Sequence, residues 1–277
     1  MSTSITSRAV LRNGIEMPWL GLGVWQMSEG GQIEGAVRSA VDAGYRSFDT
    51  AAAYRNEEGL GKAIRECGVR REELFVTTKV WNNDQGYNAT LAAFQESRKR
   101  IGLDYIDLYL IHWPVKAKYK ETWKALEKLY EDGAVRAIGV SNFQIHHLED
   151  IMTDCNIAPF VNQVEYHPLL AQQQLRKFCQ EHRIQLEAWS PLMQGRLDEP
   201  VLMEIAARYG KSPAQIILRW DLQNLVVTIP KSANPARILE NANIFDFSLS
   251  SKDMAKLDAL DRSHRFGPDP DNFSFNF

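Results

Sequence analysis

Four residues in the first half of the chain have types that, brought together, would form a proton-donating centre: Asp49, Tyr54, Lys79 and His112. Asp49 ends the β-compatible run "YRSFD". Tyr54 follows it after the small turn "TAAA". Lys79 ends the next such run, "LFVTTK", and His112 ends the one after, "IDLYLIH". A phenol, with a pKa near about 10, is a poor acid at neutrality. A lysine cation beside it stabilises phenolate and lowers that pKa. A buried aspartate would keep the lysine charged, and a histidine can hydrogen-bond and orient a carbonyl. The product is a donor poised to protonate an oxygen as negative charge develops there. This suits carbonyl reduction but supplies no hydride, so a redox cofactor is required.

The second half of the chain offers residues to hold one. Ser141 and Asn142 in "GVSNF" are small polar groups able to bond a carboxamide, and Gln163 in "NQVEYHP" is a second amide partner. Trp189 in "AWSPLMQG" is a flat aromatic able to stack on a nicotinamide ring. Lys231, Ser232 and Arg237 in "IPKSANPARILEN" form a cationic cluster at a helix start, which suits a terminal phosphate. Neither Gly21-Leu-Gly23 nor Gly59-Leu-Gly61 completes G-x-G-x-x-G, since Gln26 and Ile64 stand where the third glycine belongs. A Rossmann dinucleotide fold is therefore disfavoured. Two cations without a ribose-binding acid favour NADPH over NADH.

These residues need elements to position them. Short β-like runs at 19–24, 45–49, 74–79, 106–112, 134–140, 160–167, 184–190 and 226–231 alternate with helical stretches. Helix punctuation supports the reading. "GQIEGAVRSAVDAG" closes on Gly44 and "ETWKALEKLYEDG" on Gly133, while Ser212-Pro213 opens "SPAQIILRWDLQN". Eight strand–helix units without a composition break predict a single α/β domain over residues 1–277, a closed (β/α)8 TIM barrel. Asn13-Gly14 predicts an N-terminal β-hairpin covering one end. In such barrels the chemistry sits where strands end at their C-terminal rim, which is where the four residues fall. The tail "RSHRFGPDPDNFSFNF" reads as an irregular loop whose closing phenylalanines dock on the body.

Composition narrows the class. The 277 residues are 44% hydrophobic with a net charge of −3 and scattered basic residues, which argues against nucleic-acid or polybasic membrane binding. No apolar run reaches membrane-spanning length, and the N-terminus lacks a secretory apolar region. Cys67, Cys155 and Cys179 are far apart, have no metal-ligand spacing, and fit a reducing cytoplasm.

With "GYRSFDTAAAYRNEEGLG", "LIHWP", "IGVSNF" and "IPKSANPARILEN" in place, the chain resembles the aldo-keto reductase family over nearly its whole length. The resemblance implies a barrel that binds NADPH without a Rossmann domain, with Asp49, Tyr54, Lys79 and His112 as the catalytic tetrad and Tyr54 as general acid. It implies that Ser141, Asn142 and Gln163 hold the carboxamide and that Trp189 stacks on the nicotinamide. Ser190, Leu192, Gln194 and Gly195 would follow the pyrophosphate. Lys231, Ser232, Arg237, Glu240 and Asn241 would hold the 2′-phosphate and adenine. Gly23 and Val24 would approach the ribose. The chain looks most like bacterial members that reduce 2,5-diketo-D-gluconate, glyoxal or methylglyoxal. Trp25, Trp81 and Trp113, with His112, would wall a pocket for small polar carbonyls, and a monomer is the family's habit. Two other readings compete. One is a catalytically weak nucleotide-sensing protein on the same fold, against which the complete tetrad speaks. The other is a hydrolase pairing Asp49 with Glu165 or Glu187, against which Lys79 beside the acid speaks.

Overall fold

A computed structural model describes residues 4–274. Two short antiparallel strands, β1 (Arg8–Val10) and β2 (Glu16–Pro18), form the expected hairpin around Asn13-Gly14. The Asn13 side chain donates to the backbone oxygen of Arg136, next to the start of a barrel strand, so the hairpin sits at the N-terminal end of the barrel.

The eight runs then appear as β3 (Leu22–Gly23), β4 (Ser47–Asp49), β5 (Phe75–Val80), β6 (Ile106–Ile111), β7 (Val135–Ser141), β8 (Val161–Glu165), β9 (Gln185–Trp189) and β10 (Val227–Thr228). They pair in parallel in sequence order. The ring closes through the parallel bridges Leu20–Thr228 and Gly23–Lys231, with Gly21 N–H donating to Thr228 O at 3.0 Å. β4, β5, β6 and β8 are buried at every position, as expected where helices cover a parallel sheet and side chains fill its interior.

The observed strands are shorter than the runs at both ends of the barrel sequence. Pro230 has no N–H for the ladder and limits β10, while β3 and β10 meet only through isolated bridges. The helices begin and end close to the sequence signals. Helix Pro213–Gln223 has Ser212 as N-cap, accepting from Gln215 N–H, and Trp123, Leu126 and Leu129 of helix Tyr119–Glu131 face the core. All three cysteines are free. No helix among the described residues is long and apolar enough to cross a membrane.

Parallel register sets the level of each site residue. Gly23 aligns with Asp49, and Asp49 with Thr77. Ser141, Gln163 and Glu187 form one row across β7, β8 and β9. Glu165 and Trp189 form the row above it.

The C-terminal tail returns across the rim. Phe266 N–H and Gly267 N–H both donate to the fully buried Glu165 carboxylate, at 2.7 and 3.2 Å. His146 Nε2 lies 2.9 Å from Asp271, and the Phe273 ring packs 5.0 Å from that of Trp113. The expected docking of a tail phenylalanine thus holds at Phe273. Phe275 and Phe277 lie outside the described residues.

Candidate active site

A cavity of about 360 Å³ opens at the C-terminal rim. Tyr54 enters it from a short 3₁₀ turn, Ala52–Tyr54, that follows β4. Small residues are needed here: Ala51 is fully buried, Ala53 lines the cavity, and Thr50 turns its carbonyl to Lys79. Asn56, an anchor that sequence reading passed over, fixes the turn from behind. Its side-chain nitrogen donates to the carbonyls of Val24 and Met27, and its oxygen accepts from the Thr50 hydroxyl at 2.7 Å.

Lys79 is wholly buried behind the cavity floor. Its ammonium donates to Asp49 Oδ1 at 2.6 Å and to Thr50 O at 2.9 Å, and stands 5.1 Å from the centre of the Tyr54 ring. Burial acts to lower the Lys79 pKa, but Asp49, Tyr54 and Glu187 outweigh it and hold the group above its ordinary value. Lys79 is therefore a cation at neutral pH. For Tyr54 the balance is reversed. Burial raises the phenol, Lys79 pulls it down, and Asp49 and Glu187 push it up, so the net shift is upward. Tyr54 carries its proton at neutral pH, as a donor must.

His112 stands edge-on between Tyr54 and Trp81, with ring centres 5.6 and 5.1 Å away. Burial first, then the Lys79 charge, holds its pKa well below the ordinary value, so the imidazole is neutral. Its Nδ1 is buried and has no partner among the described residues, which leaves Nε2 as the nitrogen able to meet a carbonyl oxygen. A neutral imidazole can hydrogen-bond a carbonyl oxygen without placing a second positive charge beside Lys79.

The cavity also takes in Gly23, Trp25, Trp81, Trp113, Ser141, Asn142, Gln163, Trp189, Ser190, Gln194 and Lys231. Several of their polar groups are already engaged. Trp189 Nε1 donates to Asn142 Oδ1 at 2.8 Å, Asn142 Nδ2 donates to His112 O at 3.0 Å, and Ser141 Oγ donates to Gln163 O at 2.9 Å. Gln163 Nε2 donates to both Asp49 and Glu187, at 2.8 Å each, so its carbonyl oxygen is what remains to accept from a carboxamide. Val24 stands apart from the cavity: it is fully buried, its N–H donates to Asp49 O, and its carbonyl accepts from Asn56.

Leu192, Gly195, Ser232, Arg237, Glu240 and Asn241 lie beyond the cavity lining. Arg237, Glu240 and Asn241 ride on helix Pro235–Ala242, capped by Asn234. Lys231 and Arg237 are exposed, and no ion pair holds either one among the described residues, Glu240 included. Lys231 lines the cavity and Arg237 stands in the first turn of helix Pro235–Ala242, two cations without an ion pair among the described residues that fit an anionic ligand. Ile229 and the tail residues Phe266, Gly267 and Pro268 also line the cavity and were not read from sequence. A Cβ on Gly267 would fall 2.3 Å from the Trp189 ring, so the tail passes directly against that platform.

A parallel barrel with a buried acid–lysine pair beneath a tyrosine, and a histidine at its side, defines a class of carbonyl-reducing barrel enzymes. The aldo/keto reductase family profile matches residues 19–262, and the chain belongs to that family. It is an oxidoreductase. Over 276 residues it is 61% identical to a glyoxal reductase of Bacillus subtilis, covering 99% of this chain and all of the relative. It is 49% identical to the methylglyoxal reductase DkgA of Escherichia coli O157:H7, over 95% of this chain and 96% of that one. A solved Gox0644 variant in complex with NADPH superposes with a TM-score of 0.91 at 44% identity, covering 97% of this chain and 98% of that one.

Proposed function

We propose that the protein reduces small aldehydes and dicarbonyls of the glyoxal and methylglyoxal type with NADPH, using Tyr54 as the acid. The observation that carries this reading is the wholly buried Lys79, bonded to Asp49 at 2.6 Å and set beside the phenol at the foot of an aromatic-walled cavity. A bound reduced nicotinamide supplies the hydride. His112 receives the carbonyl oxygen, and Tyr54 passes it a proton as charge builds. The Lys79 cation then stabilises the phenolate left behind. Asp49 fixes Lys79 and takes no proton itself. Trp189 offers the stacking face, the Gln163 oxygen offers an acceptor, the Asn142 oxygen has one lone pair left beside its bond from Trp189, and Lys231 and Arg237 take the 2′-phosphate.

Trp25, Trp81 and Trp113 leave room for a small polar carbonyl, in keeping with relatives named for glyoxal and methylglyoxal. Every residue given a role here belongs to a single chain, so the proposed reaction needs no second copy, and three free cysteines fit a reducing cytoplasm. The test is NADPH oxidation with methylglyoxal, glyoxal, simple aldehydes and a diketo sugar. Tyr54→Phe is expected to lose about 10²–10⁴-fold in kcat. Retention of most activity would rule out the acid role, and a preference for NADH would remove the phosphate role of Lys231 and Arg237.

A further inference from the structure

β9 carries a second interior carboxylate that the proton transfer above leaves unused. Glu187 is 1% exposed. Its Oε2 accepts from Gln163 Nε2 at 2.8 Å, and the same nitrogen donates to Asp49 Oδ2 at 2.8 Å. One amide therefore bridges two carboxylates inside the barrel. The groups that face Glu187 are Asp49 from β4, Lys79 from β5, Gln163 from β8 and Tyr54 from the turn after β4, while its register partner on β10 is the apolar Val227. Two ionised acids against one ammonium would leave a net negative charge in a water-poor interior, where unlike charges attract and like charges repel far more strongly than in water. Asp49 holds the 2.6 Å ion pair with Lys79, so Glu187 is the acid that keeps its proton.

We propose that Glu187 is a positioning residue that sets the acidity of Tyr54: protonated, it leaves Lys79 opposed by Asp49 alone, and ionised, it adds a second negative charge that makes the phenol harder to deprotonate. This rests on Tyr54 being the proton donor. Burial and Asp49 both push the Glu187 carboxyl upward, to about 8, and a charged Glu187 in turn raises Tyr54. The acid thus changes state close to the pH at which a cytosolic enzyme works. Its ionisation sends one proton to solvent and requires no other reactant.

The experiment compares wild type with Glu187→Gln, which keeps an oxygen for Gln163 but cannot ionise. In NADP⁺-dependent alcohol oxidation, which needs the phenolate, the ratio of variant to wild-type kcat/KM should be constant on the acid side of the Glu187 transition and climb on the alkaline side. The variant's alkaline rise should be displaced to lower pH, by on the order of one pH unit. Glu187→Asp, which restores an ionisable group, should bring the profile back toward wild type. Superimposable profiles in active enzymes would overturn the proposal, whereas an enzyme inactive on every carbonyl would instead count against the proposed function.

Two further readouts need no turnover. Phenolate difference absorbance, with the matching Tyr54→Phe protein subtracted, should show Tyr54 ionising at lower pH in Glu187→Gln. The infrared difference across the transition should show loss of a protonated carboxyl C=O band in wild type and equally in Asp221→Asn, which removes the other buried acid with a raised pKa. Absence of that band from wild type would overturn the proposal even if Glu187→Gln failed to fold.

Discussion

Lys79 shows what one buried charge is asked to do. It has no access to solvent, and its ammonium is satisfied by Asp49 and Thr50 O. Lys79→Met should therefore abolish reduction and also strand the Asp49 carboxylate, costing about 3–5 kcal/mol of stability. Adding Asp49→Asn removes the stranded charge. The double variant should regain much of the lost stability, because replacing both members of a buried pair is often close to neutral, yet stay inactive. Urea melts and NADPH oxidation on the two singles and the double check this, and a double variant no more stable than Lys79→Met would refute it. The four residues proposed to act together were open to notice because each ends an apolar run or follows one. Glu187 carried a fainter signal: alternation along "IQLEAWS" puts it on the Trp189 side of the strand, where it reads only as a candidate hydrolase partner of Asp49. Glu57 opens helix Glu57–Glu66 and is also buried, accepting from the Thr78 hydroxyl at 2.6 Å and pairing with Arg100 at 2.7 Å, contacts that no local pattern announces.

Among the elements, two helix glycines make opposite demands. Gly35 lies exposed in helix Gly31–Asp42, and a Cβ there meets nothing within 4 Å. Gly61 lies in helix Glu57–Glu66, where a Cβ would fall 1.9 Å from the carbonyl oxygen of Ile101 on the neighbouring helix Tyr87–Ile101. Gly35→Ala should stabilise by about 0.5–1 kcal/mol through helix propensity and unfolded-state entropy. Gly61→Ala should destabilise by about 1–3 kcal/mol by forcing the helices apart. Paired denaturant midpoints decide it, and a shift of the same sign in both would break the argument. The existence and order of the barrel elements could be read because punctuation and period agreed along the chain. The tail could not. "RFGPDP" has no period, and its place on the rim is set by the Glu165 carboxylate more than 100 positions away, through the Phe266 and Gly267 N–H groups. That is why Phe266, Gly267 and Pro268 entered the site only with the structure.

For the molecule as a whole, interior acids should give stability an unusual slope with pH. Asp221 is fully buried with the Thr228 hydroxyl donating to Oδ2 at 2.7 Å, and burial raises its pKa well above the ordinary value. Glu187 is raised to about 8. In the fold both acids bind a proton at pH values where the unfolded chain has released it. The unfolded state then binds fewer protons than the native state, so stability falls as pH rises from the ordinary carboxylate range through the raised values. Asp150, Asp246, Asp253 and Glu204 act in the other direction. Their pKa values are lowered in the fold by partners such as Lys120, Lys211, Ser250 and Lys256, and the stability they lend is lost in acid. Asp150, Asp246 and Glu204 have exposed carboxylates, where screening keeps each contribution small, while Asp253 is buried. At a buried acid, each tenfold change in proton affinity on folding is worth about 1.4 kcal/mol. His112 and His147, held below the ordinary histidine value chiefly by burial, make stability rise with pH up to about 6.5 and offset the two acids there. Stability should therefore be nearly level at mildly acid pH, with the urea midpoint falling between about pH 7 and pH 8. Asp221→Asn keeps an oxygen for Thr228 and removes the titration, so its curve should be flatter over that range. A wild-type midpoint that rises across it, or an Asp221→Asn curve with an undiminished slope, would show that Asp221 is ionised in the fold.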